Sequence, residues 1–122
     1  MLEVSGADVL AALENGLRSA PEATGRFPQV SGLQVVYDPE AEVGSRVVSV
    51  KVNGVDLDPA ATYKLATNDY MARGGDGYSM LKNAKRLLSV TDAKLMANDV
   101  MAYIRARGTV SPKVEGRMIA LK

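Results

Sequence analysis

The sequence contains no cysteine and no histidine. Without cysteine it can form no disulfide, no thiolate metal site and no cysteine nucleophile. Without histidine it lacks the Ser-His triad, the usual zinc ligands and the most common general base. Catalysis by this chain alone would have to rest on carboxylates, lysines and hydroxyls. The composition therefore indicates that these 122 residues are not a complete enzyme.

Excess charge and long apolar runs are also absent. Fifteen basic residues face fourteen acidic ones, and the basic residues are scattered, so the sequence predicts no nucleic-acid partner. No run approaches the ~18 apolar residues of a membrane span. Residues 2–4 are too short and too polar for a signal peptide. A chain of this length buries one core, so we expect a single domain over residues 1–122.

Helical periodicity begins directly after a short strand-like start. Ser5 fits an N-cap, with Asp8 three positions later. An apolar face then follows at helical spacing: Val9, Leu10, Leu13 and Leu17. We expect this helix to end at Pro21. A strand that runs straight into a helix at the first residues suggests a piece of a longer polypeptide.

Strand patterns and one further helix fill the rest of the chain. The strand patterns lie at 33–38, 46–52, 63–67 and 116–121. Asn53-Gly54 predicts a hairpin. Residues 80–88 indicate a short helix or an irregular turn. A helix is predicted over 93–107, capped by Thr91 or Asp92 and ended by Gly108. This order predicts an α+β domain, a mixed β-sheet with flanking helices.

The most informative segment is residues 67–78. Three glycines within four residues allow positive φ and a close approach of the backbone to a ligand: Gly74, Gly75 and Gly77. Asp76 lies among them, with Tyr70 and Tyr78 on either side. One carboxylate with nearby aromatic faces suits a small polar molecule that carries a flat ring. A simple turn is the alternative.

A second candidate site surrounds the single phenylalanine. Phe27 lies between Arg26 and Pro28, in a loop over residues 22–32 that contains Gly25 and Gly32. A core phenylalanine more often lies within an apolar run. A loop residue tucked under the sheet is the alternative to a ligand contact.

Both segments resemble signatures of one family. Residues 25–33 with 35–38, and then residues 67–78, are similar in type and order to two motifs of the C-terminal domain of 5'-nucleotidases. Residues 114–117 resemble its closing motif. The resemblance implies a layered α/β/β/α arrangement. It also implies truncation at the amino terminus, since an upstream segment with substrate-contacting asparagine and arginines and a metallophosphatase domain would precede this part.

The resemblance assigns expected roles to individual residues. Phe27 and Tyr70 would clamp the nucleobase, although the family often has phenylalanine at the second position. Asp76 would accept hydrogen bonds from the ribose hydroxyls. Asn68 is expected to order its turn, with a substrate contact as the alternative. Three positions would let the backbone pass close to the sugar: Gly74, Gly75 and Gly77.

Other residues are expected to be structural. We predict packing roles for Tyr37 and Tyr78 and a solvent-facing Arg73. Five methionines are predicted to fill the core: Met71, Met80, Met96, Met101 and Met118.

For the parent protein the resemblance implies a hydrolase of nucleoside phosphates with two divalent metal ions in its amino-terminal domain. Expected partners are a nucleoside or nucleotide and that metallophosphatase domain, and the expected location is periplasmic, extracellular or at the cell surface. The chain itself would hold no cofactor and would be inactive. A sheet edge exposed by truncation would favour self-association.

Three alternatives to this function stay open from the sequence. The same domain occurs in 2',3'-cyclic-nucleotide phosphodiesterases and nucleotide-sugar hydrolases. A non-catalytic protein-interaction module would use the glycine segment to contact a partner. A standalone enzyme would use carboxylates such as Asp69 and Asp76.

Overall fold

The computed structural model describes residues 1–22, 24–89 and 91–122. Ala23, in the loop predicted over 22–32, and Val90 lie outside the described residues. The strands are β1 (Leu2–Ser5), β2 (Leu33–Tyr37), β3 (Val47–Val52), β4 (Val55–Asp56), β5 (Thr62–Leu65), β6 (Lys85–Arg86) and β7 (Met118–Ala120). The α-helices are α1 (Gly6–Gly16), α2 (Asp69–Ala72) and α3 (Met96–Arg107).

The strands form two sheets. A three-stranded antiparallel sheet has the order β5-β1-β6. A four-stranded sheet has the order β4-β3-β2-β7, and it is mixed because β2 and β7 run parallel while the other pairs are antiparallel. The predicted α+β class is confirmed.

Helix α1 lies against both sheets and carries much of the core. The Ser5 hydroxyl accepts from the backbone N–H of Asp8, and the Asp8 carboxylate accepts from the backbone N–H of Ser5, so the predicted capping box is confirmed. Val9, Leu13 and Leu17 are buried, as their spacing predicts. The helix contacts β1 in one sheet and β3 in the other. It thereby joins the two sheets.

The end of α1 differs from the prediction. The helix stops at Gly16, several residues before Pro21. The guanidinium of Arg46 donates to the carbonyl oxygens of Leu17 and Ala20, at 2.7 Å each. These bonds satisfy carbonyls beyond the last helical turn, so the chain can leave the helix without leaving buried acceptors unpaired.

The hairpin between β3 and β4 is confirmed. Asn53 has φ 49° and Gly54 has φ 85°, the two positive φ values of a type I′ turn. The segment predicted as a short helix or irregular turn contains a 3₁₀ turn at Ser79–Leu81 and then the two-residue strand β6, which the sequence does not predict.

Helix α3 begins later than predicted. Its N-cap is Leu95, which makes no side-chain cap, and the prediction of Thr91 or Asp92 as the cap is wrong. The Asp92 carboxylate instead accepts from the hydroxyl of Ser89, in a separate turn that closes before the helix. Gly108 ends the helix with φ 73°, as predicted.

The methionine prediction holds for three of the five positions. Met71, Met80 and Met118 pack against the core. Met96 and Met101 are exposed, so the core role predicted for them is wrong. Both lie on α3, none of whose residues is buried. Within the described ranges, no helix combines the length and the apolar character needed to cross a bilayer.

Candidate functional site

The glycine loop, residues 73–78, turns through left-handed backbone conformations. Gly74 has φ 89° and Gly77 has φ 82°. Asp76, between them, has φ 52°, which is uncommon for a residue with a side chain. Such a conformation costs of order 1–3 kcal/mol and persists only where neighbouring contacts hold it. Asp76 is also exposed, so its carboxylate is accessible.

Tyr70 lies directly over this loop. Asn68 caps α2, because its side-chain oxygen accepts from the backbone N–H of Met71 at 2.8 Å, and this confirms the predicted turn-ordering role. The Tyr70 hydroxyl donates to Oδ1 of Asp76 at 3.1 Å. A Cβ built on Gly75 would lie 2.5 Å from carbons of the Tyr70 ring. The ring therefore rests on the bare backbone of Gly75.

The end of α1 holds the other side of the glycine loop. Nδ2 of Asn15 donates to the backbone carbonyl of Asp76 at 3.0 Å. A Cβ on Gly77 would lie 2.6 Å from Oδ1 of Asn15. Asp76 is thus held at its side chain by Tyr70 and at its backbone by Asn15. These contacts explain how a strained residue keeps its place.

The Phe27 loop, residues 24–32, carries the second predicted aromatic residue. The Phe27 backbone N–H donates to the carbonyl of Thr24 at 3.0 Å, which forms a turn. The half-buried Phe27 ring meets Tyr37 edge-on, with centroids 6.2 Å apart and an interplanar angle of 66°. The contact confirms the packing role of Tyr37. It places the Phe27 ring against Tyr37 of β2.

Tyr78 joins the two loops. Its side chain is 2% exposed, which confirms its predicted packing role, and its hydroxyl donates to the backbone carbonyl of Arg26 at 2.6 Å. A Cβ on Gly16 would lie 2.7 Å from Cδ of Pro28 and 2.8 Å from the Tyr78 hydroxyl oxygen. Both loops therefore pack against the end of α1, where there is no room for a side chain.

The charges around Tyr78 have opposite signs. Burial raises the pKa of the Tyr78 hydroxyl above its ordinary value of 10.0. The negative charge of Asp76 raises that pKa further, and the positive charge of Arg26 lowers it in part. Tyr78 is thus a neutral hydrogen-bond donor at physiological pH, between one anionic and one cationic side chain.

The structure brings together most of the predicted site residues. Tyr70, Gly75 and Asp76 are in one cluster, and Asn68 caps the helix that carries Tyr70. Phe27 lies on the other loop, which the hydroxyl of Tyr78 connects to this cluster.

Arg73, predicted to face solvent, is exposed and forms an ion pair with Asp69. That pair occupies one of the two carboxylates that a standalone enzyme would use.

The sequence does not predict three residues that connect the site: Asn15 and Gly16 at the end of α1, and Tyr78 as a link between loops. The only signal for the first two is the dipeptide Asn-Gly near a helix end. That signal also fits an ordinary helix terminus.

The family resemblance places the two divalent ions in the amino-terminal domain and not in residues 1–122. The chain has no histidine or cysteine. In the part that the structure describes, no group of three or more acidic residues is placed to hold a metal ion.

Comparison with known proteins gives a consistent result. Residues 1–83 match the family described as the C-terminal domain of 5'-nucleotidase. A 5'-nucleotidase from Diplobatis ommata is 37% identical over 127 aligned residues, which cover 98% of this chain and 22% of that protein. The trifunctional nucleotide phosphoesterase YfkN of Bacillus subtilis is 33% identical over 95% of this chain and 8% of its own length.

A solved structure shows the same fold. The 5'-nucleotidase precursor from Thermus thermophilus superimposes with a TM-score of 0.89 and 37% identity. The match covers 98% of this chain and 24% of that one. The chain therefore spans at most about a quarter of the length of each of these three relatives.

Proposed function

The chain belongs to the family of 5'-nucleotidase C-terminal domains, and from that membership we propose that it binds the nucleoside part of a nucleotide substrate. In this proposal the parent protein is a metal-dependent phosphoric ester hydrolase. Residues 1–122 form its substrate-binding domain, and hydrolysis takes place at two divalent metal ions in another domain. The parent acts outside the cytoplasm, in the periplasm or at the cell exterior.

One observation carries the proposal: two loops far apart in sequence are fastened to each other. The hydroxyl of Tyr78 donates to the backbone carbonyl of Arg26, which is next to Phe27 and 52 residues earlier in the sequence. Tyr78 itself ends the glycine loop that holds Asp76. An aromatic ring on one loop and an aromatic ring with a carboxylate on the other supply the chemistry that a nucleoside needs.

The aromatic rings would bind the base. Phe27 is half-buried and packs against Tyr37 in a T-shaped pair, and Tyr70 is 55% exposed over the glycine loop. Stacking tolerates different bases because every base has a π-face. We therefore propose a clamp by Phe27 and Tyr70 with broad base acceptance.

The carboxylate of Asp76 would bind the ribose. A carboxylate accepts at two oxygens and can take both hydroxyls of a vicinal diol. Asp76 and Gly77 are exposed, and the Tyr70 ring covers part of Gly75 beside them. Gly74, Gly75 and Gly77 would let the sugar approach closely, and Asn68 would support the site from below by capping α2.

The expected affinity is low. Stacking contributes ~1–3 kcal/mol per base, and a hydrogen bond to a charged group contributes roughly 1.5–3 kcal/mol. Immobilising the ligand offsets much of that sum. Since a dissociation constant of about 1 mM already requires about −4.1 kcal/mol, we expect millimolar or weaker binding and no hydrolysis by this chain.

The test is an NMR titration with adenosine, adenine and ribose. We expect adenosine to shift signals of Phe27, Tyr70 and Asp76 far more than ribose does. Tyr70→Ala should weaken adenosine at least about fivefold. Tyr103→Ala is the matched control, because Tyr103 is 52% exposed on α3, where the guanidinium of Arg107 lies over its ring. It should leave binding unchanged.

Two results would count against the proposal. If Tyr70→Ala and Tyr103→Ala changed the affinity for adenosine equally, the proposed base clamp would be wrong. A flat titration with adenosine up to tens of millimolar would favour a protein-interaction module instead.

The ribose contact has its own test. Asp76→Gly removes the carboxylate, and glycine keeps the positive φ of this position without strain. Adenosine should lose affinity while adenine does not. Equal loss for both ligands would place the carboxylate outside the sugar site.

A broader phosphoesterase is the second candidate for the parent. The similarity to the trifunctional nucleotide phosphoesterase YfkN supports it. Hydrolysis assays of the parent with a 5'-nucleotide and a 2',3'-cyclic nucleotide would separate the two candidates.

A further inference from the structure

The hydroxyl of Tyr70 already donates to one of the two Asp76 carboxylate oxygens that the proposed ribose contact would use. It donates to Oδ1 of Asp76 at 3.1 Å, and the ring that carries it packs closely against Gly75. A phenylalanine at this position would keep the ring and leave Oδ1 free. The hydroxyl therefore has an effect on the carboxylate that is separable from the effect of the ring on a base.

The backbone that carries the Asp76 carboxylate is anchored close to this contact. The backbone of Asp76 is in a left-handed conformation, and its carbonyl is held by Nδ2 of Asn15 at 3.0 Å. Gly77, which follows, is packed against the same asparagine. Since the peptide is fixed on one side and the Tyr70 ring is seated on Gly75 on the other, the two partners face each other in a defined geometry.

We propose that Tyr70 determines sugar specificity through its hydroxyl, which competes with the ribose diol for the carboxylate of Asp76. This inference rests on the proposed nucleoside site. In the free protein the hydroxyl takes the place of one sugar hydroxyl. A diol that binds both carboxylate oxygens competes with the Tyr70 hydroxyl at Oδ1. A ligand without the diol stacks on the ring and leaves the bond intact.

The competition weakens the preference for ribosides. A riboside gains hydrogen bonds to Asp76 but loses the bond from Tyr70, so the net gain over a deoxyriboside is small. The site therefore discriminates less between ribosides and diol-free ligands than a site with phenylalanine at this position.

The experiment compares the unaltered chain with Tyr70→Phe, using adenosine, 2',3'-dideoxyadenosine and adenine. Tyr70→Phe should tighten adenosine about 3- to 10-fold and leave the two diol-free ligands within about twofold, because the ring is retained. In the unaltered chain, the Tyr70 ¹³Cζ signal should move further with adenosine than with adenine, because both ligands stack on the ring but only adenosine releases the hydroxyl. Unchanged or weaker adenosine binding by Tyr70→Phe would overturn the proposal.

The same comparison in a protein that carries Asp76→Gly tests whether the effect of Tyr70→Phe depends on the carboxylate. In the Asp76→Gly background, adding Tyr70→Phe should give no gain for adenosine. A gain of the same size without the carboxylate would show that the hydroxyl acts on the base and not through Asp76, and the proposal would fall.

The outcomes separate this proposal from the proposed function. If no ligand shifts Phe27 or Tyr70 in either protein, the nucleoside site itself is wrong. If the ligands bind but Tyr70→Phe does not bind adenosine more tightly than the unaltered chain, only the proposed competition is wrong. If adenosine binds Tyr70→Phe and not the unaltered chain, both proposals are supported.

Discussion

Helices α1 and α3 have similar lengths, eleven and twelve residues, and opposite environments. Helix α1 has a complete capping box, four buried residues and contacts with both sheets. Helix α3 has no side-chain cap and no buried residue, and the apolar side chains of Val100, Tyr103 and Ile104 are exposed. Short helices are marginal in water without such packing.

The difference shows which helix positions the site. Asn15 and Gly16, at the end of α1, contact the glycine loop and the Phe27 loop respectively. Glu14 accepts from the backbone N–H groups of Arg46 and Val47 at 3.0 and 2.7 Å, which fixes the helix against β3. Changes in α1 should therefore affect both stability and ligand binding, and changes in α3 should affect neither strongly.

The largest difference is expected for truncated apolar side chains. Leu13 in α1 is 4% exposed and Ile104 in α3 is 39% exposed. Leu13→Ala should lower the free energy of unfolding by about 2–5 kcal/mol, since it leaves a cavity. Ile104→Ala should change it by about 0.5 kcal/mol or less. Urea unfolding measures both, and equal losses would mean that the two helices contribute alike.

The next effect concerns a glycine in a helix. Alanine in place of glycine normally stabilises a helix by about 1 kcal/mol, but a Cβ at position 16 meets Pro28 and Tyr78. Gly16→Ala should destabilise by about 1–3 kcal/mol and shift NMR signals of both loops. Gly25→Ala is the control, because nothing lies within 4 Å of its Cβ position. A stabilised Gly16→Ala protein would disprove the close packing.

Removing the N-cap of α1 and adding one to α3 should make the stabilities of the two helices more alike. Ser5→Ala removes the capping box of α1 and should cost about 1 kcal/mol in urea unfolding. Leu95→Asp supplies α3 with a cap and a negative charge at its N-terminus, which should stabilise that helix by about 0.5–1 kcal/mol. Amide hydrogen exchange of residues 97–104 would report the gain. No added protection in Leu95→Asp would mean that a missing cap is not what limits α3.

The smallest effect at neutral pH, and the only one confined to alkaline solution, concerns Tyr78. Its pKa is raised in the folded protein by burial and by Asp76, so the folded state favours the neutral hydroxyl. The stabilisation is fully present below pH 10.0 and is lost as the pH rises through the higher folded pKa. Unfolding at about pH 9 and about pH 11 should show a larger loss for the unaltered chain than for Tyr78→Phe. Equal losses of unfolding free energy in the two proteins would contradict a raised pKa of Tyr78.

Local signals in the sequence predict local structure well here. The capping box at Ser5, the type I′ turn at Asn53-Gly54 and the end of α3 at Gly108 each depend on residues within one or two turns. The start of α3 was predicted wrongly because Asp92 has two possible partners nearby. It pairs with Ser89, and the sequence does not rank that pair against a helix cap.

The site is predictable only in part for a different reason. Tyr70 and Asp76 lie in one segment, so their proximity follows from a short loop. The contacts of Asn15 with Asp76 and of Tyr78 with Arg26 span 61 and 52 residues. Such contacts depend on how the sheets bring distant segments together, and no local pattern encodes them.

Strand β7 is synthesised after its partner β2, so the order of synthesis affects when the site can form. It pairs in parallel with β2, and Arg117 beside it donates to the carbonyl of Val30, 87 residues earlier in the chain. At about 5–20 residues per second, a ribosome needs roughly 4–17 s to make that interval. During this time one edge of β2 has no partner strand and is open to wrong pairing. The Phe27 loop thus acquires its last anchor well after its own residues have left the ribosome.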